Sequence, residues 1–143
     1  MLRILRLIEM NDWRTAQQET AALSALRALS PSMALTVDGL ARLAMREPAE
    51  ALPRFQAAVA VDARNPYAHY WLGAIHAADG RAGDASLSIN RALGIDPEMS
   101  EALVILGGLA HARKDINAAI RYLLEAIRHE IDNPRYWRKL NQL

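Results

Sequence analysis

Four histidines are the residues of this sequence with the most obvious capacity for chemistry: His69, His76, His111 and His129. His69 and His76 are seven residues apart, and this spacing places both on one face of a helix. A zinc site needs three or four ligands, and no carboxylate lies at ligand spacing beside this pair. We therefore expect His69 and His76 to be partly buried structural residues, and His111 and His129 to lie at the surface. No metal and no cofactor is predicted.

Carboxylate pairs are the second candidates for chemistry. Glu47 with Glu50, and Asp96 with Glu98, bring two acids close together in sequence. Each pair lies at a predicted helix end, where acidic side chains commonly stabilise the helix dipole rather than catalyse. The sequence also lacks a nucleophile elbow, a phosphate-binding glycine loop, a dinucleotide-binding glycine motif and a zinc-protease motif. We therefore expect a protein that is not an enzyme.

The elements that hold these residues are predicted to be helices throughout, because apolar residues recur at helical steps and no segment alternates as a strand does. Three positions place a good N-cap before a proline suited to the first helical turn: Ser30-Pro31, Asn65-Pro66 and Asn133-Pro134. Ser100 and Asp115 are expected to cap further helices, and Gly80 suits a left-handed helix end. The predicted helices span residues 2–10, 13–29, 32–46, 48–62, 66–79, 82–95, 100–113, 116–130 and 134–143.

One predicted helix, at residues 48–62, contains a proline. Pro53 removes a backbone hydrogen bond and its ring crowds the preceding turn, so we expect a kink there. The matching residues in the following units are Leu87 and Arg121, and we expect this face of the helices to be the outer one.

Small and apolar residues recur along the chain at a fixed interval of 34 residues. Three series of small residues share this spacing: Gly39, Gly73 and Gly107; Ala51, Ala85 and Ala119; Ala58, Ala92 and Ala126. A fourth series is bulky and consists of Phe55, Ile89 and Leu123. Four series with one spacing indicate a repeat architecture, in which each unit packs on its neighbours.

The spacing and residue types resemble the tetratricopeptide repeat, a helix-turn-helix unit of the same length. The best-matching unit reads His69-x2-Leu72-Gly73-x2-His76, then Ala85-x3-Ile89, then Ala92 and Pro97. The resemblance implies an all-α fold, a right-handed α-solenoid of antiparallel helix pairs that forms a single domain over residues 1–143. The units are expected at about residues 1–31, 32–65, 66–99 and 100–133, followed by the start of a capping helix at 134–143.

The resemblance also implies a concave groove lined by the first helix of each unit. Helical geometry sends Tyr67, Trp71 and Ala74 to the side opposite Leu72 and Gly73. The expected peptide-binding groove consists of Val37, Leu40, Tyr67, Tyr70, Trp71, Ala74, Glu101, Val104 and Ile105. Its aromatic residues would anchor an amphipathic helix or an extended apolar peptide. The last helix would add a basic edge of Arg135, Arg138 and Lys139.

Some members of this family hold the terminal carboxylate of a peptide with a clamp of Lys, Asn and Arg side chains. None of the comparable positions in this sequence is basic: Thr36, Leu40, Tyr70, Ala74, Val104 and Gly108. We therefore expect no such clamp, and no role that depends on it.

Composition narrows the class of partner. The chain is 52% hydrophobic and 23% charged with a net charge of +1, so it can bury a core and shows no nucleic-acid footprint. No apolar run approaches the length of a membrane span, so no membrane insertion is predicted. We expect a cytoplasmic protein that binds a protein or peptide partner. Neither end helix is a polar cap, since one carries Leu2, Leu5 and Ile8 and the other Trp137, Leu140 and Leu143. We therefore expect either self-association or a chain cut from a longer array.

These observations favour a protein–protein interaction module, which would act as an adaptor, a scaffold or a chaperone. A secretion-type chaperone that masks an apolar client segment is a second interpretation. A third is the non-catalytic arm of a larger enzyme, such as a glycosyltransferase or a sulfotransferase. Whether the natural reading frame continues past Leu143 would distinguish the third from the other two.

Overall fold

The computed structural model describes residues 12–25 and 29–143 of the chain. Within these ranges the chain forms eight α-helices and no β-strand. The predicted helix at residues 2–10 lies outside the described residues, as do Leu2, Leu5 and Ile8. The helices are α1 (Trp13–Ala25), α2 (Pro31–Ala44), α3 (Pro48–Val61), α4 (Pro66–Ala78), α5 (Ala82–Ile95), α6 (Ser100–Ala112), α7 (Ile116–His129) and α8 (Pro134–Leu140). The all-α fold is therefore confirmed.

Side-chain caps begin four of the eight described helices where the sequence predicts them. Four predicted caps accept a hydrogen bond of 3.0–3.2 Å from a backbone N–H in the first turn: Ser30, Asn65, Asp115 and Asn133. Such bonds satisfy N–H groups that have no partner inside the helix. The capping residues therefore set the start of α2, α4, α7 and α8.

The prediction that Ser100 caps a helix is wrong. Ser100 is the first residue of α6, and its hydroxyl donates to the Glu98 carbonyl at 3.5 Å. The N-cap is Met99, which makes no side-chain cap and packs in an apolar cluster. The residue that corresponds to Asn65 one repeat later is thus a hydrophobic core residue.

The turns within the helix pairs share one geometry. Arg46, Gly80 and Lys114 are spaced by the repeat length, and each has a positive φ, of 60°, 74° and 64°. In each turn the N–H of the following residue bonds back to a carbonyl five residues earlier, as in a Schellman motif. The prediction for Gly80 is confirmed, and two residues with side chains adopt the same left-handed conformation.

Contacts divide the chain into two compact units, one that ends at Ala68 and one that comprises His69–Leu143. In the first unit α1 packs on α2, and α2 packs on α3. Phe55 of α3 is fully buried against Gly39 of α2, where an added Cβ would lie 2.8 Å from the phenyl ring. The small residue is therefore needed for the close approach of the two helices, as the repeat pattern predicts.

A buried polar network also belongs to the first unit. The Asn65 amide donates to the hydroxyls of Ser32 and Thr36 at 2.8 and 3.0 Å. Ser32 in turn donates to the Ala58 carbonyl at 2.7 Å, and Thr36 donates to the Ser32 carbonyl at 2.9 Å. Because Asn65 also caps α4 through Ala68, one side chain joins α2 to the start of the next helix pair.

The second unit repeats the glycine contact twice. A Cβ at Gly73 of α4 would lie 2.6 Å from two side-chain carbons of Ile89, and one at Gly107 of α6 would lie 3.2 Å from Leu123. In the same unit α5 packs on α6, α6 on α7 and α7 on α8. Gly73 and Gly107 therefore face the second helix of their own pair. The opposite sides of α4 and α6 do not take part in these contacts.

Pro53 lies inside α3, and the helix continues through it from Pro48 to Val61. Pro53, Leu87 and Arg121 are all exposed, which agrees with an outer face at this repeated position. The kink itself stays a prediction.

Candidate functional site

The histidines that the sequence offers for chemistry differ in their burial. His69 is 4% exposed and His76 is partly buried, whereas His111 and His129 are exposed, as expected. In the described part of the chain no three His, Cys, Asp or Glu side chains are placed to hold a metal ion. The histidines therefore provide no metal centre in these residues.

The carboxylate pairs are likewise engaged in local bonds. Glu47 and Glu50 both accept hydrogen bonds from Nη1 of Arg42, at 3.2 and 2.9 Å. The bond to Glu47 raises the pKa of the Arg42 guanidinium. Asp96 accepts a bond from the backbone N–H of Glu98. The carboxylates of Glu47, Glu50 and Asp96 thus each have a structural partner.

Two neighbouring aromatic rings of α4, those of Tyr70 and Trp71, lie against each other. Gly73 fixes the side of α4 that contacts α5, and Trp71 and Ala74, which the helical period places away from it, are partly exposed. The rings of Tyr70 and Trp71 meet edge to face, with centroids 5.0 Å apart and an interplanar angle of 78°. This arrangement is favourable for aromatic rings.

Tyr70 also links α4 to α6. Tyr70 and Ile105 are both partly buried against one cluster, formed by Ile89, Ala92, Met99, Ala102 and Leu106. The pKa of Tyr70 is raised to about 12, mainly by burial and also by the nearby Glu101 carboxylate, while Arg135 acts in the opposite direction. The phenol is therefore neutral at physiological pH and lies close to one charge of each sign.

Val104, also on α6, is partly buried against a second cluster that includes Leu103 and Tyr136. Glu101 is exposed and is the acidic member of the predicted set. Six of the predicted groove residues therefore occur in the second unit with at least part of their surface accessible. We call this set the α4–α6 surface: Tyr70, Trp71, Ala74, Glu101, Val104 and Ile105.

The three remaining groove residues belong to the first unit. Val37 and Leu40 are only 2% and 4% exposed, so they present almost no surface to a partner. Tyr67 is 38% exposed. The helical period indicates the side of α2 on which Val37 and Leu40 lie, but it does not reveal how deeply they are buried. We leave both out of the α4–α6 surface.

The sequence predicted a basic edge on the last helix, but it did not predict that Lys139 lines a pocket together with His111 and Gln142. A small pocket beside Val104 is lined by His111, Lys139 and Gln142 among others. The repeat pattern could have indicated them, because Lys139 and Gln142 lie one repeat after Ile105 and Gly108. His111 was expected only to be a surface residue.

The 34-residue repeat matches a known protein family. Residues 38–100 match the family model described as tetratricopeptide repeat. Tetratricopeptide repeats therefore occupy residues 38–100. The resemblance inferred from the residue spacing is thus confirmed. Repeats of this kind stack into extended surfaces that bind other proteins and are generally not catalytic.

Solved structures of tetratricopeptide proteins share this fold. The structure of pilF from Pseudomonas aeruginosa is similar with a TM-score of 0.78 and 20% identity, over 97% of this chain and 63% of that one. YrrB, described as having an unusual peptide-binding site, is similar with a TM-score of 0.72 and 20% identity, over 96% of this chain and 70% of YrrB. The Sgt2 tetratricopeptide domain from Aspergillus fumigatus is similar with a TM-score of 0.71 and 24% identity, over 79% of this chain and 77% of that domain. At these identities the likeness shows the fold alone.

No curated protein sequence matches the chain. Among the helices of the described residues, none combines the length and the apolar character needed to cross a membrane.

Proposed function

We propose that this chain binds an apolar peptide or an amphipathic helix of a partner protein through the α4–α6 surface, as an adaptor or a chaperone does. The aromatic pair on α4 carries the proposal. The two rings are large and meet edge to face, and Trp71 lies on the side of α4 away from its helix-pair contact. Tyr70 lies beside it and packs against the core cluster. Aromatic residues of this kind are the side chains most often found at the energetic centre of protein interfaces.

The neighbouring residues favour an apolar ligand. Ala74 leaves room beside the rings, and Val104 and Ile105 add aliphatic surface on α6. Glu101 is the acidic residue of the surface, so a phosphate or a nucleic acid would meet repulsion there instead of attraction. The apolar face of a helix, read at intervals of three and four residues, fits such a surface.

The surface also differs from the interior in a way that suits binding. Core residues such as Ile89 and Leu106 are 0% and 5% exposed, whereas Trp71 and Ile105 keep part of their area accessible. Burial of that remaining apolar area by a partner would be favourable, since apolar area removed from water contributes about 25 cal/mol per Å².

The test begins with peptides selected from a phage-displayed library on the immobilised chain. Affinity for the selected peptide is then measured by calorimetry for the wild type and for Trp71→Ala. We expect a loss on the order of 2 kcal/mol, roughly thirtyfold, because the main anchor is removed. The melting temperature should change much less than it would for a core residue.

Trp137→Ala provides a matched control. Trp137 is 42% exposed on α8, and its indole N–H donates to the Ile131 carbonyl at 2.8 Å. This substitution should leave affinity unchanged. A Trp71→Ala protein that still binds the peptide normally, or one that unfolds, would overturn the proposal.

A further inference from the structure

An acidic and a basic residue occupy the same position of successive repeats beside the aromatic pair. Glu101 is the second residue of α6, and Arg135 is the second residue of α8, one repeat length later. Tyr136, which follows Arg135, packs with Leu103 in one buried cluster, so α8 lies beside α6 at this point. Two opposite charges therefore occur on neighbouring helices of the second unit.

Both charges are available to a ligand. Glu101 and Arg135 are exposed, and within the part of the chain that the structure describes neither makes an ion pair, with each other or with a third residue. An acid in the first turn of α6 suits the helix dipole, whereas a base in the first turn of α8 does not. Local helix stability therefore does not account for Arg135.

Tyr70 lies close to both charges. Its raised pKa results mainly from burial, the Glu101 carboxylate adds to the rise, and the Arg135 guanidinium opposes it. The pKa of Tyr136 is also raised, mainly by burial, with Glu101 and Arg135 acting in the same two directions. The two opposite charges therefore share the neighbourhood of the aromatic surface.

The other charges nearby do not cancel this pair. The Glu130 carboxylate accepts hydrogen bonds from the Asn133 amide at 2.9 Å and the Tyr136 hydroxyl at 3.4 Å, so it is already engaged. Arg138 adds a charge of the basic sign about one turn along α8, and Leu143 lies beyond the other end of that helix. A ligand that crosses from α6 to α8 thus meets an acid first and a base second.

We propose that the partner segment carries, beyond its apolar anchors, first a Lys or Arg that pairs with Glu101 and then an Asp or Glu that pairs with Arg135. The inference rests on the proposed function, because the anchors of the same segment lie over Tyr70 and Trp71. Residues two apart in an extended segment are separated by about 7 Å, and packed helices by about 8–10 Å, a difference that long side chains can span. The opposite order would bring like charges together, so the surface selects order rather than net charge.

The probes are two synthetic peptides of identical composition, acetylated and amidated so that neither has a net charge. One is Ser-Trp-Ser-Leu-Ser-Lys-Ser-Glu, and the other exchanges its lysine and glutamate. Each is titrated into the isotope-labelled chain, and NMR follows the Trp71 indole and the backbone amides of Glu101 and Arg135. We expect the peptide with lysine nearer the anchors to bind about fivefold tighter, as suits two exposed ion pairs, and high salt to weaken this preference.

Exchange of the two charges assigns the preference to these residues. The double variant Glu101→Arg with Arg135→Glu keeps the net charge and should reverse the preference, and its melting temperature should stay close to that of the wild type because both residues are exposed. Asp79→Arg with Arg91→Glu is the matched control. It makes the same exchange at two exposed residues outside the α4–α6 surface and should leave the preference unchanged.

The outcomes separate the charge order from the proposed function. Equal binding of the two peptides by the wild type, or a preference that the double variant does not reverse, would overturn the charge order. The proposed function stands in either case if both peptides shift the Trp71 indole. If neither peptide moves that signal, both proposals fail.

Discussion

Asn65 and Met99 occupy the same position in successive repeats, each directly before the first helix of a pair. Both are buried, at 4% and 8% exposure. Asn65 is held by hydrogen bonds to two hydroxyls and caps α4, whereas Met99 makes no side-chain cap and packs in an apolar cluster. The same junction of the repeat is thus built once from directional bonds and once from shape-tolerant packing.

The difference shows which part of the repeat is constrained and which is free to vary. The glycine on the first helix faces the second helix of its pair at Gly39, Gly73 and Gly107 alike. The junction residue changes its chemistry entirely between Asn65 and Met99. A polar network requires partners at fixed positions, here Ser32 and Thr36, and an apolar cluster only requires a matching volume.

The largest effect is expected at the constrained contact, from Gly73→Leu. The added side chain would overlap Ile89, which is fully buried, so helices α4 and α5 would have to separate. We expect a loss of about 3 kcal/mol or more in the free energy of unfolding, measured by chemical denaturation. Gly94→Leu, at an open position of α5, is the control and should cost little. Equal stability of the two variants would show that the glycine contact is not required.

At the polar junction, Asn65→Leu should cost about 3 kcal/mol. The estimate combines about 1 kcal/mol for the lost helix cap with about 1 kcal/mol for each of the two hydrogen bonds to Ser32 and Thr36. The same change at Asn133, a partly buried cap, should cost about 1 kcal/mol for the cap and little more for its solvent-accessible bond to the Glu130 carboxylate. If Asn65→Leu is no worse than Asn133→Leu, the buried network contributes nothing beyond the cap.

At the apolar junction the smallest effect is expected, from Met99→Leu. Leucine has nearly the same volume, and the cluster around Met99 needs no directional bond, so the loss should stay below about 1.5 kcal/mol. Thermal and chemical denaturation would both measure it. A loss as large as that of Asn65→Leu would contradict the contrast between the two junctions.

Much of the fold follows from the sequence. The helix boundaries lie close to their predicted positions, since Ser30, Asn65 and Asn133 are capping residues with a strong local signal. The contact at Gly73 also follows, because the repeat places a small residue opposite a bulky one.

What the sequence does not reveal depends on tertiary context. Arg46 and Lys114 adopt the left-handed conformation that glycine usually signals, so only Gly80 was identified. Ser100 has the type of a cap but lies one residue inside the helix. For the binding surface, periodicity gave the side of each helix but not the depth of Val37 and Leu40, which depends on what packs over them.

Hydroxyl-radical footprinting with the selected peptide tests the central claim, that a partner covers the α4–α6 surface, most directly. It compares the oxidation of individual side chains in the free and the bound chain. The account predicts that Tyr70, Trp71 and Ile105 become protected, while Leu87 and Leu124, exposed at 53% and 47% on other faces, do not change. Protection of Leu87 and Leu124 with unchanged oxidation of Trp71 would contradict it.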